Sequence, residues 1–372
     1  MLADQLGAYD RMRDTCPVAH SEYLGWSVFR HRDVVAIAED VQHFSSQVSS
    51  RHAAVPNGFD PPQHGRYRAV VDRYFGPDDM AGLEPRLRTI ANELINGLLG
   101  EGEAEVEFID RFALSYAVRA QRAWLNWPVH METDLRAWVT RNRRAVLAGD
   151  RPQLDEVARD FDAAVRRVVS ERRAIPPPPD DVTGRLIAES TADGPLTDEE
   201  IVSILRNWTV GELGTMSASV GILLGYLATH HELQDTLRRT PTKLPAAIDE
   251  ILRVHAPLLS NRRVTTTAVR VGDQDIGAGQ PITIFWASAN RDPAVFGDPD
   301  EFRPDENAAK NVLYGRGIHF CPGAPLARLE LRVALECLLN KTSSIRPVPN
   351  VPPVRAVYPA SGFAALPLRF VR

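Results

Sequence analysis

The segment at residues 314–323 constrains this chain more than any other, because it sets one cysteine among glycines directly before a helical run. From Ala324 onward apolar residues recur at helical spacing, so Cys321 is predicted to lie at a helix N-terminus. The free N–H groups and the dipole there favour an anion, which predicts a thiolate. Zinc and iron–sulfur sites usually need several cysteines, so a lone thiolate between glycines indicates an axial ligand of heme iron. A buried cysteine without a ligand is the alternative.

Length and composition describe an ordinary globular protein with a large core. The chain has 372 residues, 44% hydrophobic and 24% charged, with a net charge of −5 that gives no footprint for nucleic acid or anionic membranes. Three scattered cysteines, Cys16, Cys321 and Cys337, argue against a disulfide framework. Residues 1–14 lack the apolar core of a signal peptide, and the apolar run at 218–228 is shorter than the about 20 residues of a membrane span. These features predict a cytoplasmic protein that binds neither nucleic acid nor membrane.

The remaining organisation is mainly helical. Apolar residues recur at helical spacing over residues 83–99 and 135–169, and four prolines at 176–179 predict a stiff connector. No glycine-rich phosphate loop follows a strand, so no nucleotide domain for a flavin or nicotinamide is expected.

A second informative segment is the run at residues 201–228, which is apolar on nearly all sides. Such a run predicts a helix buried in the core of a large protein. Gly211 and Gly214 each cost this helix roughly 1 kcal/mol relative to alanine, so a local opening or a close approach is expected there. Glu212 is charged and needs a partner or a function in a buried setting, and it shares a helical face with Thr215.

His64 and Arg68 follow two prolines and lie four residues apart, so a helix places both on one face. Together they offer two donors that suit a carboxylate. A solvated charged face is the ordinary fate of such residues, and the spacing alone favours that interpretation.

Residues 314–323 resemble the heme-ligand loop of the cytochrome P450 family, whose pattern is Phe-x-x-Gly-x-x-x-Cys-x-Gly. Gly317, Cys321 and Gly323 match this pattern at the right spacing, with Tyr314 in place of the phenylalanine. Matching segments occur in order along nearly the whole chain, from His64 onward. The resemblance implies a mainly α-helical fold, a triangular prism with small β-sheets. It also implies that residues 1–372 form a single heme-thiolate domain with no fused reductase.

For the cofactor, the resemblance implies heme b with Cys321 as the iron ligand. His64 and Arg68 match the family's segment that binds one propionate, and Arg263 matches an arginine that reaches a propionate from a small sheet. Tyr314 is expected to change the polarity near the sulfur and thereby the redox potential of the iron. The cofactor-binding residues implied in this way are His64, Arg68, Arg263, Tyr314, Gly315, His319, Cys321 and Gly323.

For proton handling, the matching helix of the family carries Ala-Gly-x-Asp/Glu-Thr, whose acid and threonine guide protons to dioxygen. Counted back from His230, Thr215 falls on the threonine and Gly214 on the acid, while Glu212 stands where the family has glycine. This difference leaves three alternatives. Glu212 could take over the supply of protons, or water and Thr215 could deliver them without a local acid. In the third alternative, Glu212 makes only a structural hydrogen bond. The catalytic residues implied are Thr215 and Glu212.

Two further sets of residues follow from the resemblance. Glu250, Arg253 and Arg303 match a buried ion-pair network that fixes the heme-loop side of the fold. The loop at residues 47–59, which covers the substrate in the family, is short here, and a turn at 361–363 is expected to close the same pocket. The residues expected to face the substrate are Val210, Gly211, Leu258, Leu259 and Ser260.

The implied reaction is monooxygenation, in which one oxygen atom from O2 enters a small, apolar or aromatic organic substrate. Electrons would come from an external ferredoxin and ferredoxin reductase or an equivalent, and Arg66, Arg73 and Arg316 could dock an acidic ferredoxin. A peroxide-driven peroxygenase or an oxidative-coupling heme-thiolate enzyme is one alternative, motivated by the absence of an acid at Gly214. A heme-binding sensor without catalysis is another.

Overall fold

Helices dominate the fold, as the periodicity predicts. The computed structural model describes residues 4–49, 54–99, 102–175, 177 and 179–372, so Pro176 and Pro178 of the predicted connector lie outside the described residues. A π-helix at Ile109–Leu114 leads directly into α5. In chain order the α-helices are α1 Gln5–Thr15, α2 His31–Glu39, α3 Gln63–Val71, α4 Pro77–Leu98, α5 Ser115–Leu125, α6 Met131–Ala148, α7 Arg151–Arg173, α8 Val182–Ile187, α9 Asp198–Leu227, α10 His231–Arg239, α11 Leu244–His255, α12 Trp286–Ala289, α13 Pro293–Phe296, α14 Pro304–Asn307 and α15 Ala324–Lys341.

The strands are short and form small sheets. They are β1 Val18–Ser21, β2 Gly25–Val28, β3 Phe44–Ser45, β4 Glu103–Glu107, β5 Ser190–Thr191, β6 Gly194–Pro195, β7 Asn261–Thr265, β8 Val269–Val271, β9 Gln274–Ile276, β10 Pro281–Ile284, β11 Ser344–Pro347, β12 Val354–Arg355, β13 Phe363–Ala365 and β14 Pro367–Val371. The largest sheet has the order β1-β2-β10-β7-β3, with β2 and β10 parallel and its other pairs antiparallel. A three-stranded sheet joins β11, β14 and β4, and the other strands pair two by two.

Helix α9 is the long central helix of the fold. A capping box starts it, in which Thr197 and Glu200 satisfy each other's backbone N–H groups. It packs against α5, α7, α11 and α15, and its apolar residues belong to the largest core cluster. Among the described residues, α9 is the one helix whose length and apolarity would suffice to cross a membrane, a criterion that a buried core helix also meets.

A buried ion pair ties α11 to the segment that leads into the cysteine loop. Arg253 donates to both carboxylate oxygens of Glu250 at 2.8 and 2.9 Å, and both side chains are at most 2% exposed. Arg253 also donates to the carbonyl of Asn290 at 2.6 Å, while the Asn290 side chain accepts from Val312 N–H at 2.9 Å. Through these bonds the pair fixes the chain two residues before Tyr314.

The third predicted member of this network, Arg303, takes part through its backbone and not through its side chain. Its N–H donates to Glu250 Oε1 at 3.0 Å, and the guanidinium instead bonds the carbonyls of Phe296 and Asp298. The side-chain amide of Asn307 completes the shell of Glu250 at 2.7 Å. Burial would raise the pKa of Glu250, yet the hydrogen bonds from Arg253, Arg303 N–H and Asn307 hold it below its ordinary value.

Replacing Arg253 with methionine should lower the free energy of unfolding by roughly 3–5 kcal/mol, because it leaves the Glu250 carboxylate buried without its cation. Chemical denaturation at neutral pH measures this loss. In the wild type the contribution of Glu250 is present above its unfolded pKa and is lost as the pH falls through its lowered native pKa.

The matched control is Arg270→Met, which removes an ion pair with Asp275 whose two side chains are 63% and 79% exposed. This change should cost under about 1 kcal/mol. Equal losses in the two variants would contradict the structural role of the buried pair.

Candidate active site

A cavity of about 450 Å³ lies between α9, the N-terminal end of α15 and strand β7, and the cysteine loop borders it. Its walls bring together most of the residues singled out in the sequence: Arg263, Tyr314, Gly315, His319, Cys321, Gly323, Glu212 and Thr215. Its apolar and aromatic walls include Phe75, Trp124, Trp208, Val210, Leu258 and Leu313. The aromatic walls were not predicted, because Trp124 and Trp208 lie in helical runs that read as ordinary core.

The cysteine loop is built by short backbone bonds and by glycine geometry. Cys321 N–H donates to the carbonyl of Tyr314 at 2.9 Å, which closes the loop just before α15. Gly315 and Gly317 have φ values of +79° and +69°, the left-handed region that other residues avoid. A side chain at Gly317 would also place its Cβ 2.7 Å from the carbonyl oxygen of Ala38, so α2 can approach only a glycine there.

The N–H groups of Gly323 and Ala324 act on the sulfur of Cys321 and lower its pKa, as expected at a helix N-terminus. Burial nevertheless raises the pKa of the Cys321 thiol above its ordinary value, and the two N–H groups offset this only in part. Helix geometry alone therefore does not ionise this thiol, and the thiolate stays a prediction. The loop supplies part of what a thiolate needs, and a positive charge at the sulfur must supply the rest.

Tyr314 stacks its ring under the guanidinium of Arg328, 4.5 Å from the ring centroid. Its hydroxyl oxygen is buried and has no hydrogen-bond partner among the described residues. Burial raises the pKa of Tyr314 far above its ordinary value, so the phenol stays protonated. The tyrosine thus adds an unpaired O–H group to the loop, where a phenylalanine would be wholly apolar.

One wall of the cavity is cationic and is suited to an anion. Arg263, on β7, is 7% exposed, and within the described part of the chain its side chain donates only to the carbonyl of Arg262, at 2.8 Å. His319 Nε2 lies 2.9 Å from the hydroxyl of Ser46. Burial and the charge of Arg263 lower the pKa of His319 to about 3, so this imidazole is neutral.

His64 and Arg68 lie behind this wall rather than on the cavity surface. The His64 ring packs edge-on against the His319 ring, with 4.4 Å between the two ring centroids. The buried Nε2 of His64 has no hydrogen-bond partner among the described residues. Arg68 donates to the carbonyls of Ile318 and Phe320 at 3.0 and 2.7 Å, and so it braces the cysteine loop. The helix α3 brings the two residues to one place, as their spacing predicts.

On the opposite side, α9 runs unbroken through Gly211 and Gly214, so the expected local opening of the helix is absent from it. The hydroxyl of Thr215 donates to the carbonyl of Gly211 one turn earlier. Glu212 reaches the carboxyl of Glu330 on α15. Glu330 was missed in the sequence, although its place four residues after Leu326, on the apolar stripe of α15, was a signal for a buried acid.

The substrate-facing residues predicted from the sequence are only partly brought together. Val210, Gly211 and Leu258 border the cavity, whereas Leu259 is 2% exposed in a separate apolar cluster. Ser361 and Gly362 border a different, smaller cavity of about 100 Å³, so the turn does not close the main one as expected. Leu258 and Leu259 lie in the irregular segment between α11 and β7, where spacing alone does not reveal which side chain faces the cavity.

The loop at 47–59 reaches the cavity through Pro56 and Asn57, while residues 50–53 lie outside the described part of the chain. Val55 fixes this loop to α9, because its N–H donates to the Ser203 hydroxyl at 3.0 Å and its carbonyl accepts from the Asn207 amide at 2.9 Å.

Comparison with known proteins agrees with this geometry. The sequence model described as Cytochrome P450 matches residues 242–354. The cyclomarin C epoxidase CymV of Salinispora arenicola (strain CNS-205) is 32% identical over 360 residues, which cover 92% of this chain and 89% of that protein. The chain belongs to the cytochrome P450 family. Its relatives include the erythromycin C-12 hydroxylase of Saccharopolyspora erythraea, which is 31% identical over 91% of this chain and 87% of that protein.

Solved structures of P450s share the fold. A mutant of P450 EryK in complex with erythromycin B superposes with a TM-score of 0.87 at 29% identity, covering 98% of this chain and 95% of that one. The ligand-free P450 TbtJ1 gives 0.88 at 28% identity over 98% and 96% of the two chains. The predicted mainly α-helical P450 fold with small sheets is confirmed, and the protein is a monooxygenase of the oxidoreductase class.

The residues present fit a heme. One sulfur with two N–H donors faces the cavity, and the positive charge that this sulfur lacks is one that an iron ion carries. On the wall, Arg263 has no carboxylate partner and His64 Nε2 has no partner at all among the described residues, which suits the carboxylates of heme propionates.

Gly317→Ala should destabilise this P450 more than Gly315→Ala does. Both substitutions place an alanine where the backbone is left-handed, which costs roughly 1–2 kcal/mol each. Only the alanine at 317 would also bring its Cβ against the carbonyl of Ala38, because a Cβ at 315 would lie 3.8 Å from its nearest neighbour. Thermal unfolding of the two variants checks this order. Equal melting temperatures would show that the packing of α2 against the loop does not require a glycine at 317.

Proposed function

We propose that this P450 holds heme b in the 450 Å³ cavity, with the thiolate of Cys321 as the iron ligand. Arg263 and His319 would hold the propionates from the cavity wall, with His64 and Arg68 behind them. Tyr314, Gly315 and Gly323 would form the loop against the ring. The observation that carries this proposal is that a buried sulfur at a helix N-terminus shares the cavity with Arg263, which has no carboxylate partner among the described residues.

When bound, heme supplies the activation of dioxygen, in which one oxygen atom enters the substrate and the other leaves as water after two electrons and two protons are added. The role of the protein itself is to bind the heme and the substrate, to exclude water and to handle protons. Thr215 presents its hydroxyl at the cavity, and Glu212 places a carboxyl one turn away on the same helix. We propose these two as the proton-handling residues.

The cavity walls that are not assigned to heme binding indicate the class of substrate. Val210, Leu258, Trp208 and Phe75 are apolar or aromatic, while Asn57 and Asn207 offer amides near the loop. This lining supports hydroxylation or epoxidation of a largely apolar organic molecule that carries a few polar groups. The relatives named as an epoxidase of cyclomarin C and a hydroxylase of erythromycin act on natural products, which supports the same class.

Electrons are proposed to come from a separate ferredoxin system, with residues 1–372 acting as a single monooxygenase domain in the cytoplasm. Of the arginines considered for docking, Arg66 pairs with Asp193 and Arg73 with Glu189. Arg316 lies 4.0 Å from Glu39 and is the least neutralised of the three. An acidic partner would therefore find less positive charge on this face than the sequence suggests.

Replacing Cys321 with serine should abolish the thiolate-ligated heme, because serine offers no sulfur to the iron. The reduced, carbon monoxide-bound wild type should show the red-shifted Soret band that is typical of a thiolate ligand, and the variant should lack it. Cys16→Ala serves as the control, since Cys16 is exposed and lies outside the cavity.

Wild-type protein that takes up heme without the shifted band, or a Cys321 variant that retains it, would refute the ligand assignment. Turnover supported by peroxide but never by a reductase and ferredoxin would favour the peroxygenase alternative, which needs no proton delivery from Thr215 and Glu212.

A further inference from the structure

Two carboxyl groups meet in the core where α9 packs against α15. The carboxyl groups of Glu212 and Glu330 lie within hydrogen-bonding reach of each other, although the two residues lie on different helices. Glu330 is 0% exposed, and Glu212 borders the cavity with the rest of its side chain. Glu212 Oε1 and both carboxyl oxygens of Glu330 are buried and receive no N–H or O–H donor from any other described residue.

Among the described residues, no cation lowers the pKa of either acid. The titratable groups whose pKa the acids affect are Tyr116 on α5, on which both act, and Tyr314 and Cys321 in the loop, on which Glu212 acts. Arg88 also acts on Tyr116, and it is engaged with Glu84 and Glu336. This pair therefore differs from Glu250, whose carboxylate binds a guanidinium and two further donors.

Two carboxylates cannot lie at hydrogen-bonding distance in a buried site without a proton between them, because like charges repel strongly where water is absent. A carboxyl can donate only when it is protonated, so a hydrogen bond between the two groups requires at least one proton. Burial raises the pKa of Glu212, and burial together with the charge of Glu212 raises that of Glu330 well above its ordinary value. The pair thus titrates as one unit.

We propose that Glu212 and Glu330 form a carboxyl pair that stores a proton at neutral pH and presents it to the cavity through Glu212. The inference rests on the proposed function and deepens it, since it says how Glu212 serves a helix that has Gly214 in place of an acid. Glu330 does not reach the cavity and is a positioning residue, which keeps Glu212 protonated.

The proton balance of the pair is simple. With one shared proton the pair carries a charge of −1, and donation from Glu212 leaves two adjacent carboxylates with a charge of −2. Their repulsion drives the uptake of a replacement proton from solvent, and the pair returns to its starting state. Tyr116 steadies Glu330 meanwhile, because its hydroxyl donates to the backbone carbonyl of Glu330 at 2.9 Å.

Infrared spectroscopy of the holoenzyme at neutral pH tests the stored proton directly. The wild type should show the carbonyl stretch of a protonated, buried carboxylic acid, with a small shift in D2O. Glu330→Gln and Glu212→Gln should each remove or displace that band. Glu336→Gln is the matched control, because Glu336 lies on the same helix but is bound to Arg88 and Arg332 as a carboxylate, so its loss should leave the band unchanged.

The pH dependence of stability gives a second measurement that needs no catalysis. A carboxyl with a raised pKa keeps its proton in the folded state, so the wild-type melting temperature should fall as the pH rises above the ordinary pKa. Glu330→Gln should make this fall between pH 5 and pH 8 smaller than in the Glu336→Gln control. A band that is absent from the wild type, or equal pH profiles in both variants, would overturn the proposal.

Catalysis then separates the storage role from a structural one. With reductase, ferredoxin and a substrate that the wild type turns over, Glu212→Gln and Glu330→Gln should divert several-fold more electrons into peroxide and change the solvent isotope effect, while heme content and the thiolate band persist. Unchanged coupling in both variants would overturn the proton-storage role. Loss of the thiolate band in the wild type would instead refute the proposed function and leave the infrared result standing.

Discussion

The buried bond between Glu250 and Arg253 is the interaction on which the site depends. Charges without water are costly unless geometry compensates them, and here the guanidinium makes two bonds to the carboxylate and two more to backbone carbonyls. One of these carbonyls belongs to Asn290, whose side chain holds Val312 just before the cysteine loop. The loop therefore starts from a fixed point, and the glycines after it need only shape the path to Cys321.

The two sides of the cavity differ in charge. One wall carries Arg263, which has no carboxylate partner among the described residues, and burial together with the charge of Arg263 lowers the pKa of His319. This wall is therefore cationic. The opposite side carries the acid pair of Glu212 and Glu330, for which the described residues supply no cation and which we propose to hold a proton. An anionic group is drawn to the first side, while the second side offers protons. In the proposed function, this separation would allow one small cavity both to anchor a charged cofactor and to handle protons.

Much of the fold could be predicted from the sequence because long helices are encoded locally. The apolar run that forms α9 and the segment before α15 needed only helical periodicity, and Cys321 lies at the helix N-terminus as its spacing predicts. Arg303 shows where such reasoning fails. Its identity suggested a side-chain ion pair, but the chain direction at α14 turned its backbone N–H towards Glu250 and its guanidinium elsewhere. Leu259 failed likewise, since one residue along an extended chain reverses the face.

By itself the sequence determined the family of the fold, the helices and the loop around Cys321, because spacing within one element is fixed by helix and turn geometry. Tertiary structure alone decided the partners across elements. Only packing of α9 on α15 brings Glu212 to Glu330, residues 118 positions apart in the numbering. Only burial, which periodicity cannot quantify, raises the pKa of the Cys321 thiol despite its helix N-terminus. The pKa of a group depends on the water it loses and the charges it meets, and both are properties of the folded molecule.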